Sequence, residues 1–270
     1  MRVGRVVPPV AALTLTVAAL AVWGTVVWKG APGLPRLFAG LDWAPPLLLS
    51  ATCPALGSLA TVFGGLLLGA GGGYLAASHL VYERPWGAGP LLALFEAGAW
   101  VPTVVLGLLG VTWLLPALRP LNLVGYGLLP AALLLAAFAF WPAVGLYTAC
   151  LSRLPEPLLM GGMALGGREA VIRRLLTPAA VRKALWAQTS ALGGRLLGEA
   201  TAVALVVGNS GLFPPSPTKP SVTLPSVLLT EAVGAPMHGP WQRAIWAMAL
   251  LLLLGSAALH LGLRRWIEEG

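Results

Sequence analysis

The sequence predicts an all-α integral membrane protein of six transmembrane helices. Apolar residues make up 57% of its 270 positions and charged residues only 10%, against roughly 25% charged in soluble domains. Apolar runs recur at the length of about 20 residues that a helix needs to cross hydrocarbon. The basic residues fall in short clusters between those runs. That splitting also argues against nucleic-acid binding, despite a formal charge of +8, because no continuous basic face is formed.

The first span is expected near Val7–Trp28, between Arg2/Arg5 and Lys29. Its run exceeds the apolar core of about 7–15 residues of a secretory signal, and no convincing cleavage site follows, so it reads as a retained helix. The second lies within the uncharged stretch Trp43–Tyr82, which at about 1.5 Å per residue is too long for one crossing. Pro45, Pro46 and Pro54 therefore mark a lead-in loop before a helix of about Leu56–Leu80. The third span is placed near Gly89–Leu115, kinked at Pro102; the fourth near Val124–Leu151; the fifth near Ala184–Val207; the sixth near Ile245–Leu263. All belong to a single transmembrane domain, residues 1–270, with an additional amino-terminal helix (about 7–28) ahead of a core of about 56–263.

An amino terminus inside leaves Lys29, Arg36, Arg119, Lys219 and Arg243 outside and Arg195 within a span. Every other basic residue is then cytoplasmic, as the positive-inside rule requires. Both termini are cytoplasmic on this reading. Cys53 and Cys150 fall at opposite faces, too far apart for a disulfide, so two free thiols are expected. The outer loop of about 208–243 is rich in Pro, Ser and Thr (Pro214-Pro215-Ser216-Pro217-Thr218), so it should be irregular with a short helix around Leu224–Val233. In the inner loop of about 152–183, Pro155 and Pro157 open and Pro178 closes a proline-free stretch, the punctuation of one or two short helices. Glycines 64, 65, 69, 71, 72 and 73 in the second span suit close helix packing or a bend.

The inner loop resembles the cytoplasmic signature of ABC importer permeases: Glu-Ala-Ala, three residues, then Gly, with a Leu-Pro further on. Here the match is Met160-Gly161-Gly162-Met163-Ala164-Leu165-Gly166, ending at Thr177-Pro178. Within that family the chain is similar to the phosphate-importer permeases. Arg195-Leu196-Leu197-Gly198-Glu199-Ala200-Thr201 matches their Arg-Ala-(Ile/Leu)-Gly-Glu-Thr motif, and Val206-Val207-Gly208-Asn209 follows in the manner of the C-type partner rather than the A-type. Glu96-Ala97-Gly98-Ala99-Trp100-Val101-Pro102-Thr103 and Leu56-Gly57-Ser58-Leu59 complete a series of four motifs in family order. The chain departs from the pattern where Met160 replaces the signature Glu, Gly161-Gly162 replaces Ala-Ala, and Thr177 replaces Leu. The interval from Gly166 to Pro178 is also shortened, and no acidic pair precedes the loop near Thr148-Ala149.

The resemblance implies a type I ABC importer permease fold in a bacterial or archaeal plasma (inner) membrane. It further implies a partner set: a second permease subunit in a heterodimer, two ATP-binding subunits carrying ATP and Mg, and an extracytoplasmic phosphate-binding protein. Met160, Ala164, Leu165, Gly166, Gly167, Arg168 and Pro178 would then dock an ATPase. This chain has no phosphate-binding loop of its own, since no Gly precedes a Lys anywhere, so no cofactor is expected on it and it is not expected to be an enzyme. Molybdate, sulfate or phosphonate is the alternative cargo, and a membrane assembly role the alternative class.

Arg195 and Glu199 are the sharpest candidates for the pathway. A lone charge in mid-span costs about 2.5–3.5 kcal/mol on insertion scales, and an i, i+4 spacing on one helix lets the two pair. They form either a gate for the anion or a structural ion pair. Glu96 lies a short way into the third span, lining a vestibule or snorkelling to the headgroups. Thr103 and Thr201 offer hydroxyls to an anion or to their own backbone. His79, His238 and His260 are scattered, so no metal site is expected.

Overall fold

The computed structural model describes residues 7–37, 51–120, 125–210, 216–234 and 238–269. Among them the chain is helical, with one isolated parallel bridge, Gly208 to Ser221. The helices are α1 (Val7–Gly30), α2 (Thr52–Tyr82), α3 (Ala88–Gly98), α4 (Thr103–Leu118), α5 (Leu128–Leu151), α6 (Glu156–Ala164), α7 (Glu169–Ala180), α8 (Arg182–Leu197), α9 (Thr201–Val207), α10 (Leu224–Glu231) and α11 (Pro240–Glu269). Four of them, in α1, α2, α5 and α11, are long and apolar enough to cross a membrane. The count rises to six if the bent pairs α3/α4 and α8/α9 each make one span. With large side chains such as Leu59, Phe63, Leu67 and Leu75 pointing outward, the chain is a multi-pass membrane protein by the same composition that predicts it.

The centre of the bundle is the contact of α2 with α5, which run parallel. Gly65 lies against Leu135, Gly69 against Ala136 and Ala139, and Gly73 against Ala143 and Val144. One face of α2 therefore carries no side chains, and the two backbones close together along it. The glycine series is a packing seam. It is not a break: α2 passes through a π-helical turn at Leu66–Ala70 and continues as α-helix through Gly71-Gly72-Gly73. The helix stops where Arg84 takes a left-handed conformation (φ 44°) and Pro85 follows, which cannot continue it. Leu134, Leu135 and Phe138 of α5 meet Leu196, Leu197, Val203 and Val206 of α8 and α9 in the main buried cluster. α1 packs antiparallel on α11, with Gly30 on the Trp246 carbonyl and Gly33 on that of Arg243, while Lys29 Nζ sits 4.8 Å above the Trp246 ring.

Several expectations are corrected. The second span begins at Thr52: Pro54 sits in the first helical turn, where its missing N–H has no intrahelical partner to lose, so it does not belong to a lead-in loop. Pro45 and Pro46 lie outside the described residues, as does Val124 at the expected start of the fourth span, whose described helix begins at Leu128. The third span is not a kinked helix, because α3 and α4 meet at 94°. Pro102, extended at ψ 135°, is the cap before α4. The fifth span is likewise broken, α8 and α9 meeting at 62°. Pro178 does not close the inner loop; it lies inside α7, which runs to Ala180. The helix that carries the sixth expected span is longer than that span, Pro240–Glu269, with its apolar stretch at Pro240–His260.

The outer loop contains the short helix expected within Leu224–Val233, but its second half is not a solvent-facing irregular segment. Pro214 and Pro215 are outside the described residues. Ser221 to Val227 are buried among Leu37, Cys53, Ala244 and Met248. Gly57 admits the Val222 carbonyl, and Ser58 Oγ accepts the Leu224 N–H at 2.8 Å. A capping box between Thr223 and Ser226 satisfies the buried amino-terminal end of α10. In hydrocarbon an irregular backbone survives only where protein satisfies it, and Gly57-Ser58 supply that place.

The seam generates a contrast between two neighbouring glycines. A Cβ at Gly69 collides with the Ala136 carbonyl, whereas one at Gly71 meets nothing within 4 Å. Gly69→Ala is expected to destabilise by about 1–3 kcal/mol through overpacking. Gly71→Ala is expected to be neutral or to stabilise by about 0.5–1 kcal/mol through helix propensity. Thermal unfolding in detergent checks both, and equal effects would contradict the seam.

Candidate translocation site and coupling hairpin

The two broken spans meet at their breaks. Gly98 to Pro102 and Gly198 to Ala200 interrupt the ladders, and α4 then packs along α9 with Gly107 against Ala202 and Leu205. Thr103 and Thr201, each the first residue of its half-helix, have hydroxyls 3.1 Å apart. The Thr201 hydroxyl donates to Glu199 Oε1 at 2.8 Å, so its own oxygen is left to accept from Thr103. The same Glu199 oxygen accepts the Ala202 N–H at 3.2 Å, satisfying an amide at the start of α9 that has no helical partner. The result is a directed chain, Thr103 to Thr201 to Glu199, with the carboxylate at the positive end of the half-helix dipole.

Arg195 and Glu199 are therefore not an i, i+4 ion pair. Glu199 lies beyond the end of α8, in the break after Gly198, and forms no salt bridge with Arg195. The Arg195 guanidinium instead stacks over the Phe138 ring of α5, 4.5 Å from its centroid, and is exposed on this chain. A cation–π contact contributes about 0.5–2 kcal/mol and, unlike a carboxylate, leaves the positive charge uncancelled. Phe138 lay beyond sequence reasoning: it reads as one more apolar residue of the fourth span, and nothing local marks it as the partner of a distant arginine. Glu96 stands apart from this group, exposed on α3 and leaning across Gly145 of α5. So the structure gathers Glu199, Thr201 and Thr103 into one network, places Arg195 on Phe138, and leaves Glu96 on α3.

The inner loop forms a helical hairpin. α6 starts after Pro155 and ends where Gly166 takes φ +83°; the Gly166 N–H returns to the Met163 carbonyl and that of Gly167 to Gly162. A left-handed position of this kind favours glycine, which suits Gly166 to the turn. Ile172 of α7 inserts against Gly162 and Gly167 and is buried, locking the two helices together. The outer face is apolar and exposed: Leu158, Met160, Met163 and, at the turn, Leu165 at 90% exposure. Arg168 caps the start of α7, Ala164 ends α6, and Thr177 beside Pro178 is fully buried. Within α7, Glu169 accepts from Arg173 Nε at 2.8 Å; Arg84 Nη2, 3.9 Å from Glu169, and Glu83, 3.7 Å from Arg174, link α7 to the end of α2.

Cys53 and Cys150 are buried and not joined by a disulfide; they sit at opposite ends of the parallel pair α2 and α5. Among the described residues no cluster of three or more His, Cys, Asp or Glu side chains is arranged to hold a metal.

Two outcomes follow from this geometry. Thr201→Val removes both hydroxyl links and Thr103→Val only one. The first is expected to destabilise by about 1–2 kcal/mol, and the second by about half as much, in thermal unfolding of the folded protein. Separately, the Arg173 hydrogen bond and charge, with Arg84 behind them, hold the Glu169 carboxyl below its usual range against a smaller opposing effect of desolvation. A depressed carboxylate stabilises above its unfolded value, and that contribution is lost only as pH falls through the lowered one. Hydrogen exchange of α7 should stay protected near pH ~4.3, the ordinary glutamate value, and open at more acid pH. In Glu169→Gln this acid step should be missing.

No family model matches the chain. It is similar to the probable ABC transporter permease protein YqgH of Bacillus subtilis, 28% identical over 275 residues, covering 94% of this chain and 86% of that protein. It is also similar to the probable phosphate transport system permease protein PstC of Methanocaldococcus jannaschii, 26% identical over 202 residues, with 67% of this chain and 64% of that protein covered. Over nearly its whole length, the likeness of this chain is thus to a permease of ABC transporters.

Proposed function

We propose that this chain is the membrane subunit of an ATP-driven phosphate importer, forming half of a pathway with a second permease subunit. Two separate ATP-binding subunits drive it, and an extracytoplasmic phosphate-binding protein delivers the cargo. It crosses a bacterial or archaeal plasma membrane six times, with α3/α4 and α8/α9 as single broken spans and the α6–α7 hairpin in the cytoplasm. The observation that carries this reading is the exposed apolar turn of that hairpin, Leu158 to Leu165, standing off the bundle between the fourth and fifth spans. Apolar side chains presented to water on a rigid turn suit a partner's cleft. The permease names of both relatives support the class, and that of the second supports phosphate.

The motor's movement enters through the hairpin. α7 passes at Val181 directly into α8, so displacement of Leu165 is carried to Arg195 along one helical connection and arrives at the break before Thr201. Arg195 attracts the anion because its partner is an aromatic ring. Glu199, held by Thr201 and the Ala202 amide, sets a negative charge close by that keeps the attraction weak enough for transit. Two oppositely tied charges serve a transient site better than a closed ion pair, which would have to open before any anion could bind.

The test is uptake of labelled phosphate into proteoliposomes holding the complete complex with its binding protein and ATP. Arg195→Gln should abolish uptake while the complex still assembles and hydrolyses ATP. Near-normal uptake by an assembled Arg195→Gln complex would defeat the pathway role. Uptake of sulfate or molybdate in place of phosphate by the wild-type complex would move the cargo.

A further inference from the structure

A cavity of about 290 Å³, part polar and part apolar, opens at the hairpin end of the bundle, remote from Arg195. The end of α2 supplies Arg84, α7 supplies Arg173, and the end of α5 supplies Thr148 and Ser152, while Leu80 and Val81 of α2 and Leu92 of α3 form the main apolar wall. Its electrostatics are one-sided. The two guanidinium groups share a single carboxylate, Glu169, at 3.9 and 2.8 Å, so one positive charge of the cluster is not cancelled within it. Arg173 is only 16% exposed, whereas Arg84 is 70% exposed at the mouth. Thr148 Oγ1 is buried and has no hydrogen-bond partner, and a buried hydroxyl left in that state is costly. Ser152 spends its proton on the Thr148 carbonyl at 2.8 Å, which leaves Thr148 as the hydroxyl donor of the cavity.

We infer that this cavity is a second anion site, built for a tetrahedral phosphate group held by Arg84, Arg173 and Thr148. The volume is roughly ten times the 30 Å³ share of one water molecule, which admits such a group with part of its hydration. Arginine suits it because the planar fork offers paired donors to phosphate oxygens. The bound group supplies the missing negative charge and the acceptor that Thr148 lacks. Because its three donors come from α2, α5 and α7, occupancy ties the coupling hairpin to the membrane bundle. The phosphate is either inorganic phosphate from the cytoplasm or the headgroup of an anionic lipid. The inference does not rest on the importer reading, since it concerns binding by this chain alone.

The test uses the full chain carrying Arg195→Gln, so that the proposed pathway cation is removed, in nanodiscs of zwitterionic lipid. Inorganic phosphate should raise the unfolding temperature saturably, and Arg84→Gln or Thr148→Val should each weaken apparent affinity about tenfold. Thr148→Val keeps the shape of the side chain and guards against loss of fold. In parallel, phosphatidic acid is added to the nanodiscs and retained lipid is read by native mass spectrometry. Retention by the parent that is lost in Arg84→Gln, without a response to inorganic phosphate, assigns the site to a lipid headgroup. If neither inorganic phosphate nor phosphatidic acid binds in a manner sensitive to Arg84 and Thr148, the site does not exist.

Discussion

A break in a membrane helix frees backbone groups that hydrocarbon cannot satisfy, and this constraint orders the rest of the structure. Among the described residues there are two such breaks, at Gly98–Pro102 and Gly198–Ala200, set one against the other. Thr103, Thr201, Glu199 and the Ala202 amide then satisfy one another at the shared junction. Neither broken span is stable alone by this logic. The carboxylate that a sequence motif places beside an arginine is used to end a half-helix, and the arginine is left to find an aromatic face. Charge separation at the candidate pathway is thus a by-product of how the backbone is satisfied.

The junction needs a rigid wall behind it, which the glycine face of α2 on α5 provides. Gly65, Gly69 and Gly73 bring the two long helices to backbone distance, and Leu134, Leu135 and Phe138 on the same α5 then reach α8 and α9. One helix therefore serves both the seam and the site. At the opposite end of the bundle from the hairpin, the buried stretch Ser221–Val227 closes the structure over Gly57 and Ser58. At the hairpin end, the pairs Glu169–Arg84 and Arg174–Glu83 fasten α7 to the end of α2.

Much of the architecture was legible because hydrophobic length is a strong signal: α1 begins at the expected Val7, and α5 ends at the expected Leu151. The short inner helices were legible from Pro155 and Pro157 and the proline-free stretch that follows them. The breaks were not. Pro102 reads alike as a kink or as the cap before a new half-helix, and Arg195 and Glu199 have the same spacing whether or not Gly198 ends the helix between them. Pro54 and Pro178 were misread as boundaries because a proline in the first turn and one in the last both leave most of a helix intact. The buried half of the outer loop was hidden for another reason. Its Ser and Thr residues look solvent-facing until Ser58, far away in sequence, is seen to accept the Leu224 amide.

That contact has a consequence for the order in which the protein is made. Gly57 and Ser58 emerge early in synthesis, and the segment they receive comes only after the seven helices α3 to α9 have followed. α1 waits longer still, because the face it packs on belongs to α11. The nascent chain must therefore hold a vacant notch and an unaccompanied apolar helix in the bilayer until its final quarter arrives. α1 is apolar enough to stand alone in lipid meanwhile, whereas the notch at Gly57-Ser58 stays open until Val222 and Leu224 reach it. Insertion of this bundle is completed when α11 packs back onto α1.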